Sequence, residues 1–305
     1  EELGWLGHFI KKSSNLEFLG MHGKDIRDDI FSNCSKQSID KCFEDIGKCN
    51  NIKRMEFERA NLAPIFSKLV PAIKNKCITR WAVEECNMGV AEVNMLFNAF
   101  RDMKHLQDLC ISYRHWDDDS NHSFSRYDDA ADDVMCRCII SLVACTSIWN
   151  LTLKWLNLSD NSCAALSFVF PRMTALMQLD LGGNSINDGC VESLVHGLVH
   201  CKRLRLLNLN SNEIGDNGLN MLIQGLPASV DTLELEGNQI SLARQLPLTR
   251  FESFRFSHNA LCDRGPGVIA ASLADPNCQL RELNLNRTNI GDDGMITLAE
   301  SLRGN

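Results

Sequence analysis

An α/β solenoid, a stack of strand–turn–helix units, is the fold class this sequence predicts. Three observations carry the prediction. From Leu176 onward, apolar residues fall at relative positions 1, 4, 6 and 11 (Leu176, Leu179, Leu181, Ile186), with Asn184 at position 9. That alternation suits a short strand followed by a tight turn, and from Asp188 to Leu198 the pattern changes to the three-and-four spacing of a helix. The unit then restarts at Leu204, with Leu207, Leu209, Asn212, Ile214, Gly215-Asp216-Asn217-Gly218 and a helix through Leu222 and Leu226. A unit of this size that repeats itself cannot bury its apolar face alone and closes it against its neighbours.

Ten such units align over the chain. The first five are Leu16-Leu19-Met21-Lys24-Ile26, Ile52-Met55-Phe57-Ala60-Leu62, Ile78-Trp81-Val83-Cys86-Met88, Leu106-Leu109-Ile111-Arg114-Trp116 and Ile148-Leu151-Leu153-Leu156-Leu158. Units six and seven start at Leu176 and Leu204. The last three are Val230-Leu233-Leu235-Asn238-Ile240, Phe251-Phe254-Phe256-Asn259-Leu261 and Leu280-Leu283-Leu285-Thr288-Ile290.

Successive starts lie 36, 26, 28, 42, 28, 28, 26, 21 and 29 residues apart. A period near 28 leaves room for a helix in each unit. The two long spacings mark insertions after units one and four. The short one marks a lost helix between units eight and nine, where Ser241 to Arg250, with Pro247, holds little more than one helical turn. We expect one domain over 1–305, with degenerate repeats over 1–147, an acidic insertion at 117–133 and regular repeats over 148–305. Both ends fall in predicted helices without a polar capping unit, so the chain reads as a fragment of a longer protein.

Composition narrows the partners. The 305 residues are 44% hydrophobic and carry a formal charge of −8. No basic cluster and no long uncharged apolar run occur, which argues against nucleic acid and a membrane span. Of the fourteen Cys, Cys49, Cys145 and Cys201 each stand three residues before a strand start, and Cys86 takes the turn position that Asn holds elsewhere. These are slots for a small buried hydrophobe, so reduced thiols and a reducing intracellular compartment are expected, the cytoplasm first, with the nucleus or an organelle left open.

The Leu/Asn ladder and the linkers Asn187-Asp188-Gly189, Gly215-Asp216-Asn217-Gly218 and Gly291-Asp292-Asp293-Gly294 resemble the ribonuclease-inhibitor-like class of leucine-rich repeats. The resemblance implies a curved horseshoe, with a parallel sheet on the concave face and helices on the convex one. Family members include enzyme inhibitors, GTPase-activating proteins, actin-filament regulators and innate-immune sensors, so the likeness implies architecture more than a task. The turn Asn has a donor and an acceptor for backbone groups leaving the ladder. Asp188 and Asp216 suit a helix N-terminal cap or the positive end of the helix dipole.

Positions 3, 5, 7 and 8 face away from the helices. They make the inner face mildly acidic through Glu56, Glu58, Glu84, Glu85, Asp180, Glu234 and Glu236. A solvated sheet surface and a dock for a basic protein partner both fit. Tyr113 and Trp155 at position 8, with Trp149, Trp116 and His115 nearby, are candidate interface anchors, or core and packing residues in part.

The segment from Asp117 to Asp133 reads as a surface loop. Its alternating Asp117, Asp119 and Asn121 resemble a calcium loop only loosely, without the Gly at the sixth position. Cys136-Arg137-Cys138 is a poor zinc pair, because its sulfurs splay apart on a helix. No phosphate loop, dinucleotide fingerprint, nucleophile elbow or HExxH occurs, so neither a cofactor nor an enzyme is expected. The sequence therefore points to a non-enzymatic module or scaffold that binds a protein. Alternatives are a GTPase-activating regulator using Arg59 or Arg114, or a structural subunit of a large assembly.

Overall fold

The computed structural model describes residues 2–23, 31, 33–74, 76–86, 88, 90–113 and 129–303. Lys24, Ile26, Arg114, His115, Trp116 and residues 117–128 of the acidic insertion lie outside the described residues. The chain divides into two compact units, Glu1–Leu156 and Asn157–Asn305.

The first unit alternates helix and strand: α1 (Glu2–Lys12), β1 (Phe18–His22), α2 (Lys36–Lys48), β2 (Arg54–Glu58), α3 (Phe66–Ile73), β3 (Arg80–Glu84), α4 (Val90–Phe100), β4 (Asp108–Ser112), α5 (Asp129–Ile140) and β5 (Asn150–Lys154). Strands β1 to β5 are parallel and pair in chain order. The register superposes equivalent repeat positions, so Leu19, Met55, Trp81, Leu109 and Leu151 form one row and Met21, Phe57, Val83, Ile111 and Leu153 another. Almost all of these side chains are buried. Burying each aliphatic member contributes about 1.5–3 kcal/mol, which only a neighbouring repeat in register can supply.

The second unit holds α6 (Asp160–Val169), β6 (Gln178–Asp180), α7 (Asp188–Leu198), β7 (Leu206–Asn208), α8 (Asp216–Gly225), β8 (Thr232–Glu234), β9 (Ser253–Arg255), α9 (Gly265–Leu273), β10 (Glu282–Asn284) and α10 (Asp292–Leu302). Strands β6 to β10 are again parallel and sequential, with Leu179, Leu207, Leu233, Phe254 and Leu283 in register. Between β8 and β9 only a 3-10 turn, Leu248–Arg250, replaces the helix, as the short spacing and Pro247 predict.

The turn asparagines form the ladder expected of them and also tie each repeat to the one before. Asn238 Nδ2 donates to Leu235 O (3.1 Å) in its own repeat and Leu209 O (2.9 Å) in the preceding one, while its Oδ1 accepts from Ile214 N (3.0 Å). Asn212 and Asn259 repeat this arrangement. Thr288 in repeat ten has one hydroxyl, which donates to Leu285 O at 2.7 Å.

Of the two places expected for the aspartates, they take the positive dipole end and not the cap. The N-caps of α7 and α8 are Asn187 and Gly215, and Asp188 and Asp216 occupy the first helical position. From there each carboxylate crosses to the next repeat. Asp188 Oδ1 accepts from Gly215 N (2.8 Å), and Asp216 accepts from Ser241 N, Leu242 N, Ala243 N and Ser241 Oγ at 2.8–2.9 Å. The reason is geometric: Asn187 already caps α7 through Cys190 N, so the carboxylate is left for the neighbouring turn.

Buried or half-buried donors close helix C-termini in both units. Lys76 Nζ reaches Gly47 O and Cys49 O at the C-terminal end of α2, and burial lowers its pKa. Arg250 donates to Ile223 O, Leu226 O and Pro227 O around the end of α8. The thiols of Cys145 and Cys201 donate to Phe100 O and Phe170 O at 3.3 and 3.4 Å. All fourteen cysteines are free, and burial pushes the pKa values of Cys86, Cys145 and Cys201 up to about 12.

A feature without a sequence signature recurs at position 8. There the backbone is left-handed in repeats two, three and five to ten: Arg59 (φ 51°), Glu85 (52°), Trp155 (58°), Gly183 (70°), Ser211 (55°), Gly237 (65°), His258 (58°) and Arg287 (54°). Glycine at 183 and 237 adopts this freely, whereas Trp155 and its counterparts store on the order of 1 kcal/mol each.

Candidate interaction surface

Parallel strands with one row of side chains in the core present the alternate row to the opposite face. In the first unit that face carries charge already matched within the fold. Arg80 lies between Glu56 (2.6 Å) and Asp108, and Asn150 Nδ2 donates to Asp108 Oδ1 at 2.9 Å. Glu58 meets His22 Nδ1 at 2.9 Å, and Arg59 Nε meets Glu85 at 2.9 Å and Glu58 at 3.6 Å. Burial chiefly, with the Glu84 carboxylate assisting, opposes ionisation of the Cys110 thiol. Glu56 and Glu58 are thus acidic by composition but largely balanced in place.

The aromatic residues do not form one patch. Tyr113 is only 8% exposed, so its ring packs into the fold and the expectation of a presented side chain is corrected. Burial also raises its hydroxyl pKa. Its backbone N–H bonds Lys154 O at 3.0 Å, which places it beside Trp155 at the C-terminal rim of the strands. Trp155 is half-buried there. Trp149 is 36% exposed but lies at the other end of β5, about 20 Å from Trp155 along an extended strand.

On the second unit, position 5 reads Asp180, Asn208, Glu234, Arg255 and Asn284 across adjacent strands. Glu234, with a side chain 13% exposed, lies 3.4 Å from Arg255 Nη1 and accepts from Asn210 Nδ2 at 3.2 Å. Burial raises the Glu234 pKa; Arg255 opposes this, while Asp180 and Glu236 add to it. Glu236 is held by neutral donors, Ser257 Oγ and Asn284 Nδ2, at 3.5 and 3.3 Å. Asp180 Oδ1 accepts from Gly182 N at 3.0 Å. Asn208, Asn210, Arg255 and Asn284 were not singled out from the sequence. Only register shows that they link the acidic residues.

Among the described residues, no group of three or more His, Cys, Asp or Glu is placed to hold a metal ion, and no helix is long and apolar enough to cross a membrane. The Leucine Rich repeat family model matches residues 200–222 and 277–299, the seventh and tenth units. The chain is built of leucine-rich repeats. No curated protein matches it. Among solved structures, the leucine-rich-repeat chain is similar to internalin C2 of Listeria monocytogenes, with 16% identity over 84% of this chain and 92% of that one and a TM-score of 0.50. It is also similar to the protein in the TLR13–ssRNA13 complex, with 13% identity, 92% of this chain, 42% of that one and a TM-score of 0.51. At these identities the likeness concerns the fold.

Proposed function

We propose that this leucine-rich-repeat chain is a non-catalytic recognition module that engages a protein partner through the sheet face opposite its helices. The observation that carries this reading is Trp155. A half-buried indole is kept in a left-handed conformation at a position where repeats six and eight have glycine. The left-handed backbone belongs to the repeat, so what marks Trp155 is a large aromatic ring left half-open at the rim of the strands, the residue type most enriched at interface anchors. The acidic residues Glu234, Glu236 and Asp180 favour a partner with a basic surface. Arg59 is engaged by Glu85 and Glu58, which favours a structural role for it over insertion into a GTPase. The experiment is affinity capture with wild-type protein and Trp155→Gly. Loss of the captured partner at unchanged melting temperature supports the reading, and undiminished capture removes Trp155 from it.

A further inference from the structure

The second unit's sheet face contains one buried amide whose donor is unused. Asn208 is 8% exposed, and its Oδ1 accepts from Asn210 N at 2.8 Å. Its Nδ2 has no partner among the described residues. The equivalent Asn284 amide donates to Glu236 and the Asn210 amide to Glu234, so Asn208 departs from its neighbours. Its Nδ2 is also absent from the sealed, unpaired buried atoms, which are Trp81 Nε1 and Ser229 Oγ. What little Asn208 exposes therefore includes this donor. Register sets it between Asp180 on β6 and Glu234 on β8.

The geometry points to a site for an extended, Lys- or Arg-bearing peptide segment running along β8 beside β7. Asn208 Nδ2 donates to a main-chain carbonyl of the segment, and the Glu234 and Glu236 carboxylates receive its cationic side chains. The chemistry follows from the groups present: an amide donor alone selects an acceptor, and flanking carboxylates select positive charge. An extended strand places alternate side chains on one side about 6.6 Å apart, so neighbouring cations can face two carboxylates while the carbonyl between them faces Asn208. Glu234 and Glu236 are already positioned by Asn210, Arg255, Ser257 and Asn284, so little side-chain entropy remains to be lost on binding. This inference rests on the basic-partner reading above and names the residues that decide it.

The test is fluorescence anisotropy with labelled nine-residue peptides, one alternating Lys with Ser and one alternating Glu with Ser. The Lys peptide should bind the wild-type protein and the Glu peptide should not. Asn208→Asp separates the two parts of the proposal. It keeps the acceptor for Asn210 N, removes the donor and adds negative charge, so charge attraction alone makes the Lys peptide bind more tightly. The site proposed here makes it bind about fivefold more weakly, the worth of one hydrogen bond. Glu234→Gln with Glu236→Gln should weaken binding further. Unchanged or tighter binding to Asn208→Asp overturns the amide's role and leaves the basic-partner reading standing. Failure of the Lys peptide to bind the wild-type protein overturns both. Should Asn208→Asp not fold, the Asn208 side-chain amide resonances of the wild-type protein decide: movement on titration with the Lys peptide supports the site, and constancy overturns it.

Discussion

The Asp188 carboxylate, in the first turn of α7, accepts a hydrogen bond from Gly215 N at 2.8 Å, twenty-seven residues further along the chain. Asp216 does the same for the turn after it, with three backbone N–H groups and the Ser241 hydroxyl. Consecutive repeats are thereby joined on the side where their helices begin. Burial works to raise the Asp216 pKa, but those donors outweigh it and hold it below the ordinary carboxylate value. A depressed folded pKa means the stabilisation is present above about pH 4 and is lost as pH falls through the folded value. We expect Asp216→Asn to lower stability by about 1–3 kcal/mol at pH 7, with the difference shrinking below pH 4, measured by urea denaturation across that range.

Asn238 serves two carbonyls and one N–H, all buried. Asn238→Ala leaves Ile214 N without a partner, while Leu209 O and Leu235 O keep the Asn212 and Asn259 amides, so a loss of about 1–3 kcal/mol is expected in chemical denaturation. Asn238→Asp keeps the acceptor for Ile214 N but turns a carboxylate toward Leu209 O and Leu235 O. Its stability should improve on acidification, when a protonated carboxyl can donate to one of them. A variant equally stable at pH 4 and pH 7 contradicts this account.

The thiols of Cys145 and Cys201 act as buried donors with pKa values near 12. They should resist iodoacetamide in the native protein at pH 8, while exposed Cys77 is modified. Mass spectrometry of the labelled peptides reads this directly. Because the folded pKa is raised, this contribution is intact below about pH 9 and falls away as pH climbs toward 12. Thermal melts should therefore show alkaline weakening over that window, reduced when both cysteines are replaced by alanine.

At Trp155 the usual order of alanine and glycine should reverse. Both substitutions remove the indole, but only glycine accepts φ 58° without strain. Trp155→Gly is expected to be more stable than Trp155→Ala by about 1 kcal/mol in denaturant titration. Equal stability means that the left-handed backbone relaxes when the ring is gone.

Much of this architecture is legible in the sequence because it depends on short-range periodicity. Leu179, Leu181, Asn184 and Ile186 announce strand, turn and core within eleven residues, and Pro247 with the short spacing announces the missing helix. The inner face is less legible because it depends on which residues meet across strands. Arg80 reads as a lone cation until register brings Glu56 and Asp108 to it. Tyr113 shares a repeat position with Trp155, yet it is buried and Trp155 is partly open, a difference that spacing does not contain. Asp188 and Asp216 look like caps locally and are cross-repeat acceptors in space. Asn208 is one Asn among several until the partners of the others are known.

The central claim is that recognition belongs to the sheet face and not to the helix layer. The most direct measurement is quantitative partner capture by three folded variants beside the wild type: Trp155→Gly, Glu234→Gln with Glu236→Gln, and Phe168→Ser on α6, where the ring is largely exposed. We expect the two sheet-face variants to lose at least about tenfold in captured partner and the helix variant to retain it. Retention by both sheet-face variants together with loss in Phe168→Ser would contradict the account.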